Sequence, residues 1–271
     1  MTAVTNDPDR RHYDWRSTQV CPILALTAHP AVRPRTASSK TMHAATPNFL
    51  SRPRILGLVL VALVAWLGGG QLLVRQGGAL AATPAVDSFF HTREFRRDNL
   101  KPFPKWTSAL ERYFKERGKT AGDCKDKTFN SCHWREWQTL LSSLKGKKSL
   151  AQLRGVNAFF NQRPYITDPI NWGLEDYWAA PGQFLTKDGD CEDYAISKYL
   201  SLRALGWTPE DLRLVVLQDL NLRIPHAILI VRFGDRYLIL DNQIEQVVDQ
   251  SAIRHYKPIY SLNESAWWLH R

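Results

Sequence analysis

A cysteine at the predicted start of a helix constrains the fold of this chain more than any other feature. Residues 189–194 read Gly-Asp-Cys-Glu-Asp-Tyr, and apolar residues at helical spacing then run from Cys191 to Leu205. Asp190 before this pattern and Gly206 after it are typical of a helix start and a helix end. A cysteine in the first turn lies near free backbone N–H groups, which favour its thiolate. The pattern therefore predicts a helix that carries a reactive thiol.

Two apolar runs further along the chain predict a β-hairpin. They cover residues 227–233 and 236–240, and Gly234-Asp235 separates them. Two turn-forming residues between two such runs are typical of a tight antiparallel turn. A strand is also predicted over residues 212–217, and it leads into a loop over residues 221–225 that is expected to deliver His226.

The register of this hairpin is expected to bring His226 and Asp241 together. If Phe233 pairs with Arg236, then Asp241 lies opposite Ile228, two positions from His226 and on the same face. Diagonal neighbours on one face of an antiparallel pair are about 7–8 Å apart at the backbone. An imidazole and a carboxylate can form a hydrogen bond over that separation.

Cys191, His226 and Asp241 together form a candidate catalytic triad. A nucleophile, a base and a group that orients the base are the three parts of this arrangement. Each residue also has a structural interpretation: a buried inert thiol, a core histidine and a strand terminator. Asn242 and Asp249 are alternatives to Asp241 as the orienting group.

The order of predicted elements indicates an α+β fold. Helices are predicted over residues 105–117, 134–144 and 150–161, before the cysteine helix and the later strands. The backbone N–H of Cys191 is a natural oxyanion donor, and a side chain from residues 178–183 is a second candidate.

Four sequence blocks resemble one family, the LapG-type bacterial transglutaminase-like cysteine proteases. The blocks are residues 189–196, Pro225-His226-Ala227, Leu240-Asp241-Asn242 and the upstream run 176–185. The resemblance covers roughly the last two-thirds of the chain. It implies a papain-like or transglutaminase-like fold, in which N-terminal helices precede an antiparallel sheet.

The resemblance also implies a function. It implies a periplasmic, calcium-dependent cysteine endopeptidase that cleaves a large surface adhesin near its N-terminus and so controls biofilm attachment. It implies regulation by an inner-membrane cyclic di-GMP receptor of the LapD type. The alternatives are a transglutaminase-like amide-transfer enzyme and a non-catalytic binding module of the envelope.

The acidic residues around Cys191 raise the question of a metal. Asp190, Glu192 and Asp193 place negative charge beside a thiol that must ionise, which opposes thiolate formation. A bound Ca²⁺ would accept their oxygens and cancel that field. The alternative is that Asp190 and Asp193 only cap the helix. The resemblance favours calcium, held by Asp190 and Glu192 first and by Asp193 as well.

Net charge does not indicate a nucleic-acid partner. The chain carries a net charge of +10, but residues 1–81 contain nine Lys or Arg and three Asp, which is +6 and leaves +4 for residues 82–271. A basic surface for nucleic acid needs a larger excess in the folded domain.

The N-terminal region has the pattern of an export signal. Residues 55–74 are 20 uncharged, mainly apolar residues, preceded by Arg52 and Arg54 and followed by the small-residue motif Ala79-Leu80-Ala81. We favour a cleaved signal peptide over residues 55–81; an uncleaved anchor is the alternative, and both export the rest of the chain.

The remaining boundaries divide the chain into four parts. Residues 1–54 form a tail, unless the true start is Met42. The signal segment follows over residues 55–81, a linker over residues 82–103 and the protease domain over residues 104–271.

The cysteine count is consistent with an exported protein. Cys124 and Cys132 can close a short loop as a disulfide, which leaves Cys191 as the odd thiol of the exported part. Free thiols, or a metal site that includes His133, are the alternatives.

Overall fold

The structure is a computed structural model that describes residues 88–119 and 122–271. The predicted tail, the signal segment and the start of the linker lie outside these ranges. Within residues 88–119 and 122–271, no helix is both long enough and apolar enough to cross a membrane. The apolar run at 55–74 is not among the described residues.

Apart from one short strand, the helices precede the strands, as predicted. The α-helices are α1 (Pro104–Glu116), α2 (Ser131–Leu144), α3 (Ser149–Asn161), α4 (Asp168–Asn171), α5 (Pro181–Lys187) and α6 (Cys191–Ala204). The strands are β1 (Glu94–Arg97), β2 (Leu212–Asp219), β3 (Ile224–Phe233), β4 (Arg236–Leu240), β5 (Val248–Asp249), β6 (Tyr256–Leu262) and β7 (Trp267–His270). Short 3₁₀ helices cover Phe89–His91, Pro209–Asp211 and Gln250–Ala252.

The predicted helices are present, with earlier starts than expected. Helix α1 begins at Pro104, because proline is favoured in the first turn of a helix. Helix α2 begins three residues before the predicted position because the side chain of Asn130 caps it. This side chain accepts hydrogen bonds from the N–H groups of Cys132 and His133, each at 3.0 Å.

The strands form one antiparallel sheet in the order β1-β7-β6-β2-β3-β4-β5. The predicted hairpin register is confirmed, since Phe233 pairs with Arg236 in the β3–β4 ladder. Strand β3 begins at Ile224, before the predicted start, so His226 lies inside the strand and is not delivered by a loop.

The linker prediction is wrong for part of its length. Residues 94–97 form the edge strand β1, which pairs with β7. Just before it, the backbone N–H of Arg93 donates to the carbonyl of Arg271 at 2.7 Å, and Arg271 returns a bond to Arg93 at 3.0 Å. Four residues are too few for a period-2 pattern to distinguish a strand from polar coil.

The sheet is buried on both faces. Leu214 and Val216 of β2 pack in the main core with the helices. Val215 and Leu217 face the other way and belong to a second cluster that includes Phe89. The alternation of inward-facing side chains along β2 therefore supports two cores rather than one.

Helix α6 is central to the main core. It packs against β3, α3 and α5, and its polar side chains Ser197, Lys198 and Ser201 are buried together with its apolar ones. A helix covered on every side fixes its first residue, Cys191, relative to the sheet.

Cys124 and Cys132 are joined by a disulfide, with Cα atoms 5.0 Å apart. The bond closes the loop before α2. Of the three predicted states of this pair, the structure therefore shows the disulfide.

Candidate active site and acidic cluster

Cys191 is the first residue of α6, as predicted, and its side chain is buried. The turn before it depends on Gly189, whose carbonyl accepts a hydrogen bond from the N–H of Ile166 at 2.9 Å. A Cβ atom at Gly189 would overlap the carboxylate of Asp193. Only glycine therefore allows the chain to enter the helix so close to this acidic side chain.

His226 and Asp241 form the predicted hydrogen bond. His226 Nε2 lies 2.9 Å from Asp241 Oδ1, and both side chains are buried. Asp241 follows the last residue of β4, at the diagonal position that the register predicts. This burial corrects the expectation of a loop-borne histidine, because β3 lies inside the sheet.

Asp241 is held as an anion. Its Oδ1 also accepts the N–H of Gln243 at 2.9 Å, and its Oδ2 accepts the hydroxyl of Tyr256 at 2.7 Å. Burial alone would raise the pKa of Asp241, but the adjacent His226 and these donors lower it to about 2. A carboxylate with a low pKa can fix the orientation of an imidazole at neutral pH.

The second ring nitrogen of His226 is available for proton transfer. Among the described residues, Nδ1 is buried without a hydrogen-bond partner. The His226 side chain is carried by β3, the strand against which the helix of Cys191 packs. With Nε2 bound to Asp241, Nδ1 is the atom that can accept a proton from a thiol.

The alternatives to Asp241 have other roles or no contact with His226. Asp249 caps the 3₁₀ helix that follows it, where its Oδ1 accepts the N–H of Ser251 at 3.0 Å. Asn242 Oδ1 is buried without a hydrogen-bond partner in the part of the chain that the structure describes.

Five carboxylates gather near the N-terminal end of α6. Side-chain oxygens of Asp168, Asp190 and Asp193 lie within 4.8 Å of one another, and so do those of Asp168, Asp176 and Glu192. We call these five residues the acidic cluster. All three predicted ligands lie in it, and the structure adds Asp168 and Asp176.

The acidic cluster has unused acceptor atoms. In the described ranges, Asp168 Oδ1, Asp190 Oδ1 and Asp193 Oδ2 are buried and accept no hydrogen bond. Buried carboxylate oxygens without donors are costly unless a cation or a proton is present. Their chemistry fits a hard cation such as Ca²⁺, which takes six to eight oxygen ligands at about 2.3–2.6 Å.

The pKa values in the acidic cluster reflect this crowding. Burial, with the charge of Asp190 as the next cause, raises the pKa of Asp168 to about 7. Burial raises the pKa of Asp190 to about 6. Burial followed by the charge of Asp190 raises the pKa values of Glu192 and Asp193 well above their usual range. In the absence of a cation these carboxyl groups thus ionise less readily than exposed ones do.

The helix-capping alternative does not explain these side chains. Asp190 occupies the cap position of α6, but its side chain makes no capping hydrogen bond. Its Oδ2 accepts the N–H of Asp168 at 3.3 Å, and Asp193 Oδ1 accepts the N–H of Ala179 at 2.6 Å. Asp190 therefore contacts the first residue of α4, and Asp193 contacts the segment before α5.

No spacing rule predicts Asp168 and Asp176 as members of the acidic cluster. They precede Asp190 by many residues and join it because an isolated parallel bridge pairs Tyr165 with Gly189. The only local signal is Asp168 before a proline at a helix start, and this pattern is common in proteins without metal.

Two further side chains, Trp178 and Lys198, are buried in the domain. Trp178 Nε1 is buried, with no hydrogen-bond acceptor among the described residues. By contrast, the Gln183 amide is engaged, since its Nε2 donates to the Tyr177 hydroxyl at 2.8 Å. Within residues 178–183, the indole of Trp178 is therefore the better candidate for an oxyanion donor.

Lys198 is fully buried, and burial lowers its pKa to about 7 although Asp241 opposes that shift.

Comparison with known proteins indicates the protein class. The model of a protein family described as bacterial transglutaminase-like cysteine proteinase matches residues 120–270. The structure of Legionella pneumophila LapG described as EGTA-treated is 36% identical, covers 60% of this chain and 86% of that one, and gives a TM-score of 0.50. LapG structures of the same organism, one described as calcium-bound, are 36% identical over 59% of this chain and 87% of theirs, with TM-scores of 0.49. A search of curated proteins found no match.

Proposed function

Because the chain belongs to the bacterial transglutaminase-like cysteine proteinases, we propose that it is a calcium-dependent cysteine endopeptidase of the periplasm. The observation that carries the proposal is the buried hydrogen bond between His226 and Asp241, on the sheet against which the helix of Cys191 packs. The proposed substrate is a large surface adhesin, cut near its N-terminus, and the proposed outcome is control of biofilm attachment.

The proposed reaction has two steps. His226 Nδ1 takes the proton of Cys191, and the thiolate attacks the peptide carbonyl carbon to form a tetrahedral oxyanion. Collapse of this intermediate breaks the C–N bond, and His226 donates its proton to the leaving amine. Water, deprotonated by His226, then hydrolyses the thioester and restores the thiol. Asp241 keeps Nε2 as the donor throughout.

Trp178 is proposed as the second oxyanion donor, beside the backbone N–H of Cys191. Its indole N–H is buried and has no acceptor among the described residues, so a developing oxyanion would satisfy it. Trp178→Phe should lower kcat by about 10²–10³-fold and change KM little, because the oxyanion exists only in the transition state. Steady-state kinetics on a peptide substrate test this prediction. A rise in KM as large as the fall in kcat would contradict it.

Calcium is proposed to bind in the acidic cluster. Asp168, Asp190 and Asp193 supply the buried oxygens without donors, and Asp176 and Glu192 lie within the same few ångströms. A bound Ca²⁺ would supply positive charge beside Cys191. The carboxylate of Glu192, whose Oε2 lies 3.2 Å from the Cys191 sulfur, would then oppose the thiolate less.

The family supports the proposed biological context. We propose that an inner-membrane cyclic di-GMP receptor of the LapD type restrains this enzyme.

To test the function, purified protein is incubated with an envelope adhesin, with and without a calcium chelator. Shortened adhesin fragments that depend on Cys191 are expected. Cross-linked products would instead indicate amide transfer, and an unchanged adhesin with no labelling of Cys191 by a thiol probe would indicate a binding module.

Export is a separate prediction. The basic flank, the apolar run and Ala79-Leu80-Ala81 favour cleavage by signal peptidase, and the Cys124–Cys132 disulfide suits an oxidising compartment. We expect the mature protein to begin near Ala82 and to fractionate with the periplasm. N-terminal sequencing of the purified protein checks this, and a mature chain that retains residues 55–74 would rule out cleavage.

A further inference from the structure

We propose that Tyr256 is a positioning residue that acts on His226 through Asp241. The inference rests on the proposed function, because it concerns the orientation of the proposed base. The two carboxylate oxygens of Asp241 have different donors. Oδ1 has two donors, His226 Nε2 and the N–H of Gln243. The hydroxyl of Tyr256 donates to Oδ2 at 2.7 Å.

The Tyr256 hydroxyl prevents rotation of the carboxylate. Asp241 is fully buried, so water does not replace a lost donor at Oδ2 without rearrangement. Without the hydroxyl, the carboxylate would turn towards its remaining donors and weaken the bond that fixes the imidazole. With the hydroxyl, the plane of the carboxylate and the ring of His226 are set together.

Tyr256 is itself held in place by its strand and its neighbours. It begins β6, where it pairs with Asp219 of β2. Its ring centroid lies 5.8 Å from that of His226 and 4.6 Å from that of His255, which packs edge-on. The ring is buried, so the hydroxyl approaches Asp241 from a fixed direction.

Several charged or titratable groups lie around this chain of hydrogen bonds. Burial and the negative charge of Asp241 raise the pKa of Tyr256 above its usual range, so its hydroxyl stays a donor. Lys198 of α6 acts electrostatically with Asp241, and Asp219 of β2 acts on Tyr256. His255 lies against the Tyr256 ring, and its Nε2 is 3.9 Å from Asp219.

The test compares Tyr256→Phe with two other variants. Tyr256→Phe keeps the ring and removes only the hydroxyl. Tyr113→Phe is the matched control, because it removes a hydroxyl from another buried tyrosine, on α1 and beside Trp137. Asp241→Asn, alone and combined with Tyr256→Phe, shows whether Tyr256 acts through the carboxylate.

We expect Tyr256→Phe to lower kcat about 10- to 100-fold, as loss of a hydrogen bond to a charged group does, with KM nearly unchanged. In the Asp241→Asn background, Tyr256→Phe should cause almost no further loss. The imidazole N–H proton of His226, observed by NMR, should shift in Tyr256→Phe and not in Tyr113→Phe. Thermal melting confirms that each variant is folded.

The outcomes separate this inference from the function itself. If the wild type shows no Cys191-dependent cleavage, the proposed function fails, and the NMR shift still tests the contact. If the wild type cleaves and Tyr256→Phe matches it in both kcat and the His226 resonance, the inference fails. Full additivity of the two substitutions would also overturn it, because Tyr256 would then act independently of Asp241.

Discussion

Cys191→Ala is expected to abolish peptide-bond cleavage while the domain stays folded. The substitution removes a single sulfur atom at the start of α6 and leaves the backbone of the helix unchanged. Without the sulfur no acyl-enzyme forms, because Cys191 is the nucleophile of the proposed reaction. The measurement is cleavage of a peptide or adhesin substrate, with circular dichroism to show that the fold is intact.

The other members of the triad should show graded losses. His226→Ala should be nearly as damaging, because general acid–base assistance contributes about 10²–10⁴-fold. Asp241→Asn should cost less, since it disturbs the orientation of the ring and not the nucleophile. His91→Ala, at an exposed histidine in a 3₁₀ helix, is the control and should retain activity. Near-wild-type cleavage by Cys191→Ala would end the enzymatic interpretation.

Removal of calcium is expected to stop cleavage. Without a cation, negative charge in the acidic cluster opposes thiolate formation, since its member Glu192 has Oε2 only 3.2 Å from the Cys191 sulfur. A calcium-selective chelator should therefore inactivate the enzyme. Ca²⁺ should restore activity and Mg²⁺ should not, because Mg²⁺ is smaller and keeps its own waters. Activity is measured in buffers of defined metal content.

Substitutions in the acidic cluster should separate metal binding from folding. Asp193→Asn keeps the oxygen that accepts the N–H of Ala179 but removes a charge. We expect it to lose the thermal stabilisation by Ca²⁺, which for a ligand at 100 times its Kd is about 2.7 kcal/mol. Its melting temperature without metal should not fall, because a neutral amide replaces a carboxyl group whose ionisation is opposed by burial. Asp190→Ala and Glu192→Ala should likewise lose calcium activation.

A matched control is available on the surface. Asp98 is an exposed acid paired with Arg96 at 2.9 Å, and Asp98→Asn should leave both calcium stabilisation and activity unchanged. Full-rate cleavage by chelated wild-type enzyme would contradict the calcium proposal, and the acidic cluster would then have a purely structural role.

The geometry of the His226–Asp241 pair could be predicted because it depends only on local chain features. A two-residue turn fixes the register of a hairpin, and the register fixes which side chains share a face. The helix of Cys191 could be predicted for a similar reason, since its start and end are marked within one short segment.

The remainder of the site depends on contacts between distant segments. Asp168 joins the acidic cluster through the bridge of Tyr165 with Gly189, and Tyr256 reaches Asp241 because β6 pairs with β2. Neither pairing leaves a periodic signal in the sequence. The burial of the polar residues of α6 is equally absent from the local sequence, because no neighbouring residue indicates that Lys198 is fully buried.

The pairing of β1 with β7 determines where this domain can be cut. A fragment that starts at residue 104 lacks β1 and leaves β7, with Trp267 and Trp268, as an edge strand that pairs only with β6. Such an edge is a template for intermolecular pairing. Because Arg93 and Arg271 are joined by backbone hydrogen bonds, these two residues are adjacent in space. A short peptide could therefore connect them in a circular permutant that opens at a distant loop.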